Sequence, residues 1–96
     1  MKFKKTKIKG LYIAKLEPTN DSRGFFTRSY CKKELENTGI FKSINQANHS
    51  MTSKIGSIRG MHYQNPPYAE NKIIRCIAGE IFVVVIDLRK NSKTFL

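Results

Sequence analysis

Apolar residues in this chain fall in short clusters separated by turn-forming residues. Within the clusters the spacing is nearer two than 3.6, the period of a half-buried strand. Residues 6–14 alternate loosely, with Ile8, Gly10 and Tyr12 against Leu11 and Ile13, and predict an N-terminal strand. Glu17-Pro18-Thr19-Asn20-Asp21 is a turn cluster that Ser22-Arg23-Gly24 continues, and the aromatic stretch over residues 25–30 predicts a second short strand. One segment breaks the pattern. Residues 31–38 hold Lys32-Lys33-Glu34-Leu35-Glu36, good helix formers, and Gly39 suits a left-handed C-terminal cap, so a single short helix is expected there.

From residue 41 onward the pattern predicts strands only. Residues 41–50 form one, placing Ile44, Gln46 and Asn48 on a shared face; 51–54 turn; 55–64 form a central strand. Asn65-Pro66-Pro67 ends it, because proline cannot donate to a sheet ladder. Residues 71–77 and 81–88 make a hairpin around Ala78-Gly79-Glu80, and the apolar run of its return strand predicts burial of both faces. Short strands with turns between them indicate an antiparallel sandwich or barrel. The chain then stops without a closing element. Five or six strands leave an open sheet with a live edge, so either another subunit completes the fold or the chain is a fragment.

Ninety-six residues allow one small domain, burying about 60–65% of its unfolded surface. An apolar content of 40% places it among globular chains. The most apolar stretch, residues 81–86, is strand length and too short to span a bilayer, so no membrane partner is expected. The basic N-terminus lacks an apolar region after it and reads as no signal peptide, which makes cytoplasmic localisation the default. Cys31 and Cys76 stand far apart with no pairing motif and read as free thiols. The net charge of +11 points to anionic partners. Six lysines lie within the first 15 residues, but no aromatic-interleaved basic platform accompanies them, so a solvated face is expected and nucleic acid is not.

The chemistry-bearing stretch is Arg59-Gly60-Met61-His62-Tyr63-Gln64. A guanidinium can hold an anion, and an imidazole three residues on can move a proton near neutrality. A lone histidine on a strand is more often packed or solvated, so the stretch needs support from the rest of the chain. Strict alternation puts Arg59 and His62 on opposite faces, and both enter one cavity only if the strand bends at Gly60. A metal reading fails at Gln64: Gly56 and His62 match the start of a cupin metal motif, but an amide stands where the second histidine belongs and Glu70 comes too late.

The order of motifs is more specific than any one of them. Asp21-Ser22-Arg23-Gly24-Phe25-Phe26 is followed by Gln46-Ala47-Asn48-His49-Ser50, then by Arg59 to Pro67, Lys72-Ile73-Ile74-Arg75, Gly79-Glu80-Ile81-Phe82 and Asp87-Leu88-Arg89. The series resembles the dTDP-4-dehydrorhamnose 3,5-epimerase family, the RmlC-like cupins, from about residue 10 to Phe95. The resemblance implies a mainly β, cupin-like jelly roll (a double-stranded β-helix), here truncated and open, with residues 1–96 as a single partial domain. It implies a homodimer exchanging N-terminal strands, a dTDP-4-keto-6-deoxy sugar as substrate, and neither metal nor organic cofactor. It assigns His62 as the base and Lys72 as the charge that stabilises the enolate oxygen. Arg23, Arg28, Gln46, Ala47, Asn48 and Arg59 match positions that contact the sugar nucleotide, Arg23 reaching in from the partner subunit.

Three departures accompany the resemblance. Arg28 stands where the family commonly has a glutamate against the nucleotide base, and a guanidinium accepts no hydrogen bond. Val83 replaces an aspartate of the barrel interior. The family continues for roughly as long again past Thr94-Phe95, through the tyrosine acid, the aspartate that pairs with the histidine, and an aromatic residue that stacks on the base. The expectation is therefore an N-terminal portion of a 3,5-epimerase, with a non-catalytic sugar-nucleotide-binding or dimerisation module as the alternative.

Overall fold

In the computed structural model, which describes residues 1–40 and 43–96, two hairpins and one helix lie in the first 40 residues. β1 (Lys2–Lys5) pairs antiparallel with β2 (Tyr12–Lys15), in the register Lys2 to Lys15 and Lys5 to Tyr12. β3 (Thr19–Asp21) pairs antiparallel with β4 (Gly24–Phe26) across Ser22-Arg23, and α1 spans Lys32–Glu36. The chain is mainly β, with short antiparallel strands and one small helix, as a truncated, open cupin-like fold would give.

The single strand expected over residues 6–14 is instead a hairpin with its loop in the middle. Gly10 takes a φ of +85°, which few residues other than glycine adopt. The Thr6 hydroxyl lies 3.2 Å from the Ile8 carbonyl oxygen and 3.1 Å from that of Leu11, and accepts the Ile8 N–H at 3.2 Å. Those contacts turn Ile8 and Leu11 from strand residues into loop closers. The expected turn at residues 17–21 moves forward for a similar reason: Gly24, at a φ of +133°, follows a two-residue turn at Ser22-Arg23, so Thr19 to Asp21 are free to pair.

The helix is where its composition places it. Leu35 N–H bonds to the Cys31 carbonyl, and Gly39, at a φ of +75°, donates to the carbonyl of Glu36 just past the end. Cys31 gives no side-chain cap, so little besides packing of Leu35 holds five residues helical. Leu35 is the buried hydrophobic residue among those described.

The largest correction lies beyond residue 42. The strands expected at 55–64, 71–77 and 81–88 are absent, as is the part of the 41–50 strand within the described residues; Phe41 and Lys42, where that strand was to begin, lie outside them. The burial expected for residues 81–88 is not met either, since Phe82 is 94% exposed and Val84 is 54% exposed. A strand persists through hydrogen bonds to a neighbour, and an apolar alternating segment without one has nothing to be a strand against.

The segment 87–96 is the exception downstream. Asp87 and Phe95 form an isolated parallel bridge, with the Leu96 N–H donating to the Asp87 carbonyl at 2.9 Å. The buried Asp87 carboxylate accepts from Arg89 Nε at 2.7 Å, from a terminal Arg89 nitrogen at 2.9 Å and from Thr94 Oγ1 at 2.7 Å. Arg89 also donates to the Lys9 carbonyl at 2.8 Å, which ties this clip to the loop of the first hairpin.

Candidate active site

The expected site residues come from four separate places. Arg23 sits in the β3–β4 turn, where Asp21 accepts its backbone N–H at 2.8 Å and its guanidinium at 2.6 Å. These contacts hold the Asp21 carboxyl below, and the Arg23 guanidinium above, their ordinary values, with the side-chain bond the larger cause for Asp21. Most of the guanidinium remains in water and free to meet an anion.

Arg28 lines an open cleft of about 450 Å³ with Met1, Glu17, Phe26, Thr27 and Glu34. It donates to Glu34 Oε1 at 3.4 Å, so a carboxylate of α1 already occupies part of its donor set. The Met1 ammonium meets Glu17 at 3.2 Å and Glu34 at 3.4 Å; the bond to Glu17 is the chief cause of its raised pKa. Glu17, in turn, is lowered first by Lys2 and then by that ammonium. The Thr27 hydroxyl is buried here without a partner among the described residues.

The remaining residues lie along the extended segment. Gln46 Nε2 donates to Asn48 Oδ1 at 3.2 Å, so the two amides flanking Ala47 partly satisfy each other along the chain. Arg59 turns back on its own loop, donating from Nε to Thr52 Oγ1 and from a terminal nitrogen to the Met51 carbonyl, each at 3.0 Å. Lys72 pairs with Glu70 at 2.9 Å. His62 is exposed and makes no hydrogen bond or ion pair among the described residues. Among the described residues no hydrogen bond or ion pair joins it to Lys72, Arg59, Gln46 or Asn48, whereas the two amides are bonded to each other.

No strand forms over residues 55–64 for Gly60 to bend, but the backbone does take a glycine conformation at this position. Its φ of +100° lies in the left-handed region, and a Cβ placed there would stand 3.1 Å from His62 Nδ1. The glycine thus lets the backbone turn and keeps the space beside the imidazole clear. Among the described residues no group of three or more His, Cys, Asp or Glu side chains converges in a way that could hold a metal. No helix there is long and apolar enough to cross a membrane.

Asp87-Leu88-Arg89 has a structural role that its place in the motif series does not indicate. The signal for the clip was present: an Asp-x-Arg pair followed by Ser92 and Thr94, short side chains that bond locally.

The family profile described as dTDP-4-dehydrorhamnose 3,5-epimerase matches residues 5–96. Curated proteins of that name are similar to this chain. The one from Shigella flexneri is 44% identical over 92 residues, which is 95% of this chain and 50% of that protein. The one from Escherichia coli (strain K12) is 38% identical over 92 residues, 95% of this chain and 49% of the other. The archaeal one from Methanothermobacter thermautotrophicus is 37% identical over 94 residues, 98% and 50%. No solved structure matches the chain. The chain spans about half the length of the curated relatives it matches. With the profile matched from residue 5 to residue 96, the chain belongs to the dTDP-4-dehydrorhamnose 3,5-epimerase family.

Proposed function

We infer that this chain supplies the base-bearing half of a site that epimerises a dTDP-4-keto-6-deoxyhexose at carbons 3 and 5, the step its relatives are named for. The observation that carries the reading is the family match across the whole segment holding Arg59, His62 and Lys72. The ketone at carbon 4 makes the protons on carbons 3 and 5 acidic. His62 takes one such proton onto its imidazole, and the C–H electron pair moves into an enolate. The Lys72 ammonium, released from Glu70, stabilises the enolate oxygen as charge builds there. Arg59 and Arg23 hold the diphosphate, the latter from a partner subunit, while Gln46, Ala47, Asn48 and Arg28 contact the rest of the nucleotide sugar. Return of a proton to the opposite face inverts the carbon. By resemblance that proton comes from a tyrosine outside this chain. In this reading residues 1–96 are one partial domain of a cytoplasmic homodimer that exchanges N-terminal strands and uses no metal or cofactor.

A second reading has one observation in its favour. Arg28, where the family carries a glutamate, is engaged with Glu34, which suits a module that holds sugar nucleotides without turning them over.

The test joins this chain in frame to the part of the Shigella flexneri relative it does not match, and follows solvent deuterium entering carbons 3 and 5. Exchange is expected, and His62→Ala should reduce it by about 10²–10⁴-fold. Undiminished exchange in that variant overturns the role of His62. Binding of dTDP by calorimetry with no exchange in the parent hybrid supports the second reading instead.

A further inference from the structure

Pairing of β1 with β2 sorts the lysines near the start of the chain. Residues directly opposite in an antiparallel pair project to the same side, and so do residues two apart on one strand. The register therefore gives one face to Phe3, Lys5, Tyr12 and Ala14, and the other to Lys2, Lys4, Ile13 and Lys15. The first turns toward the end of α1, where the Tyr12 hydroxyl donates to the Thr38 carbonyl at 3.1 Å and Phe3 is half-buried. The second is exposed at every position, with Ile13 57% exposed among the lysines. Lys2 and Lys15 stand directly opposite, an arrangement of like charges that weakens a strand pair. Lys2 has a counterion in Glu17 at 3.0 Å. Lys4 and Lys15, and Lys7 and Lys9 in the loop of the same hairpin, have no carboxylate partner among the described residues.

We propose that this face docks on an anionic lipid bilayer, with Lys2, Lys4, Lys7, Lys9 and Lys15 at the headgroups and Ile13 entering the interface between them. An apolar stretch of polypeptide laid over the face would strip water from unpaired ammonium groups, at a cost that contact with Ile13 does not offset. Whatever covers it therefore carries negative charge. A specific protein partner takes about 800 Å² from each side, more than this short two-stranded face presents. A bilayer needs no such footprint, because its surface potential acts on every lysine within about 10 Å. A nucleic-acid single strand stacks its bases on aromatic side chains, and Phe3 and Tyr12 lie on the opposite face. Ile13 gains nothing from phosphates alone, but it does gain from the acyl boundary beneath a headgroup layer. The attachment is peripheral: no helix among the described residues is long and apolar enough to cross a membrane. It does not depend on the catalytic role of His62.

The test is co-sedimentation of the 96-residue chain with phosphatidylcholine vesicles, with and without phosphatidylglycerol. Binding is expected only with the anionic lipid, and should fall by about tenfold or more between about 0.1 and 0.5 M sodium chloride. Lys4→Glu with Lys15→Glu should weaken it by about 25-fold or more, at about fivefold for each lysine removed. The second substitution sets an acid opposite Lys2, so the hairpin does not lose stability with it. Lys54→Glu with Lys90→Glu, the same change of net charge at exposed positions elsewhere, should leave binding within about threefold. Ile13→Ser should weaken vesicle binding by about threefold and leave retention on duplex DNA unchanged. Four results overturn the proposal: no vesicle binding at low salt; equal binding to uncharged vesicles; equal losses in the two charge-reversed pairs; or vesicle binding that Ile13→Ser does not weaken. The last, with DNA retained as firmly as vesicles, would make the face a general polyanion site.

Discussion

Residues 1–40 and residues 43–86 carry comparable strand signals, yet the first forms hairpins and the second forms none. The difference lies in where each segment's partners are. β1 and β2 are separated by six residues, and β3 and β4 by two, so the cost of closing those loops is small. Between 43 and 64 the bonds within the segment are short local ones, such as Ser43 to Asn45 and Ser57 to Lys54. A jelly roll joins strands that are distant in sequence, and those pairings form only when the distant strand is present. His62 and Lys72 lie in the second region. In the function proposed above, building the candidate site and completing the sheet are one event.

Amide exchange breaks or sustains this comparison most directly. In the chain alone, the paired amides of β1, β2 and α1 should exchange about 100-fold more slowly than those of residues 73–86. Equal rates would mean that the hairpins have no independent stability and that the two regions do not differ in kind.

Leu35→Ala separates the regions by substitution. Leu35 is the buried apolar side chain of the first region, and its truncation should cost about 2 kcal/mol, at the low end for core leucines because the site is only partly enclosed. That corresponds to about 30-fold faster exchange in β1, β2 and α1, with residues 43–86 unchanged. A change in the second region as well would reveal coupling that the contacts do not suggest.

The clip at residues 87–96 belongs to the folded side of the comparison. Asp87→Asn keeps the shape but loses the charge that draws in Arg89 and Thr94, and exchange at the Leu96 amide should rise by about tenfold. The same carboxylate sets a pH signature. Bonds from Arg89 first, then from the Ser92 and Thr94 hydroxyls, hold its pKa far below the usual carboxylate range. A depressed folded pKa contributes stability that is complete above the unfolded value and is lost as pH falls through the folded one. The Asp87 carboxyl carbon should therefore show no titration step by NMR between about pH 3 and 7.

The helix at Lys32–Glu36 and the β class were legible because each depends on near neighbours: helix formers before Gly39, and period-two apolar spacing. The motif order identified the family for a different reason, since sequence likeness does not depend on strand pairing. The unmet strands over residues 55–88 mark the other side. Alternation states that a segment suits a sheet, but not that another strand is within reach. The Asp87 clip is built from near neighbours, Arg89 and Thr94, and was legible to that extent; its anchor, the bond from Arg89 to the Lys9 carbonyl, spans 80 residues and was not.

The smallest expected effect concerns the first hairpin, where the structure departs from the continuous strand that the spacing predicts. Residues 6–14 have the alternation of a continuous strand, and Thr6 is what turns that pattern into a hairpin. Thr6→Val keeps the β-branched shape and the strand propensity while removing the hydroxyl that accepts the Ile8 N–H and bonds to the loop carbonyls. The variant should lose about 1 kcal/mol, seen as about fivefold faster exchange in β1 and β2, with α1 affected less. If exchange does not change, Gly10 and the backbone bonds between Thr6, Ile8 and Leu11 suffice to close the loop. The hairpin would then be set by the glycine and those backbone bonds, at a position that period-two spacing places within a strand.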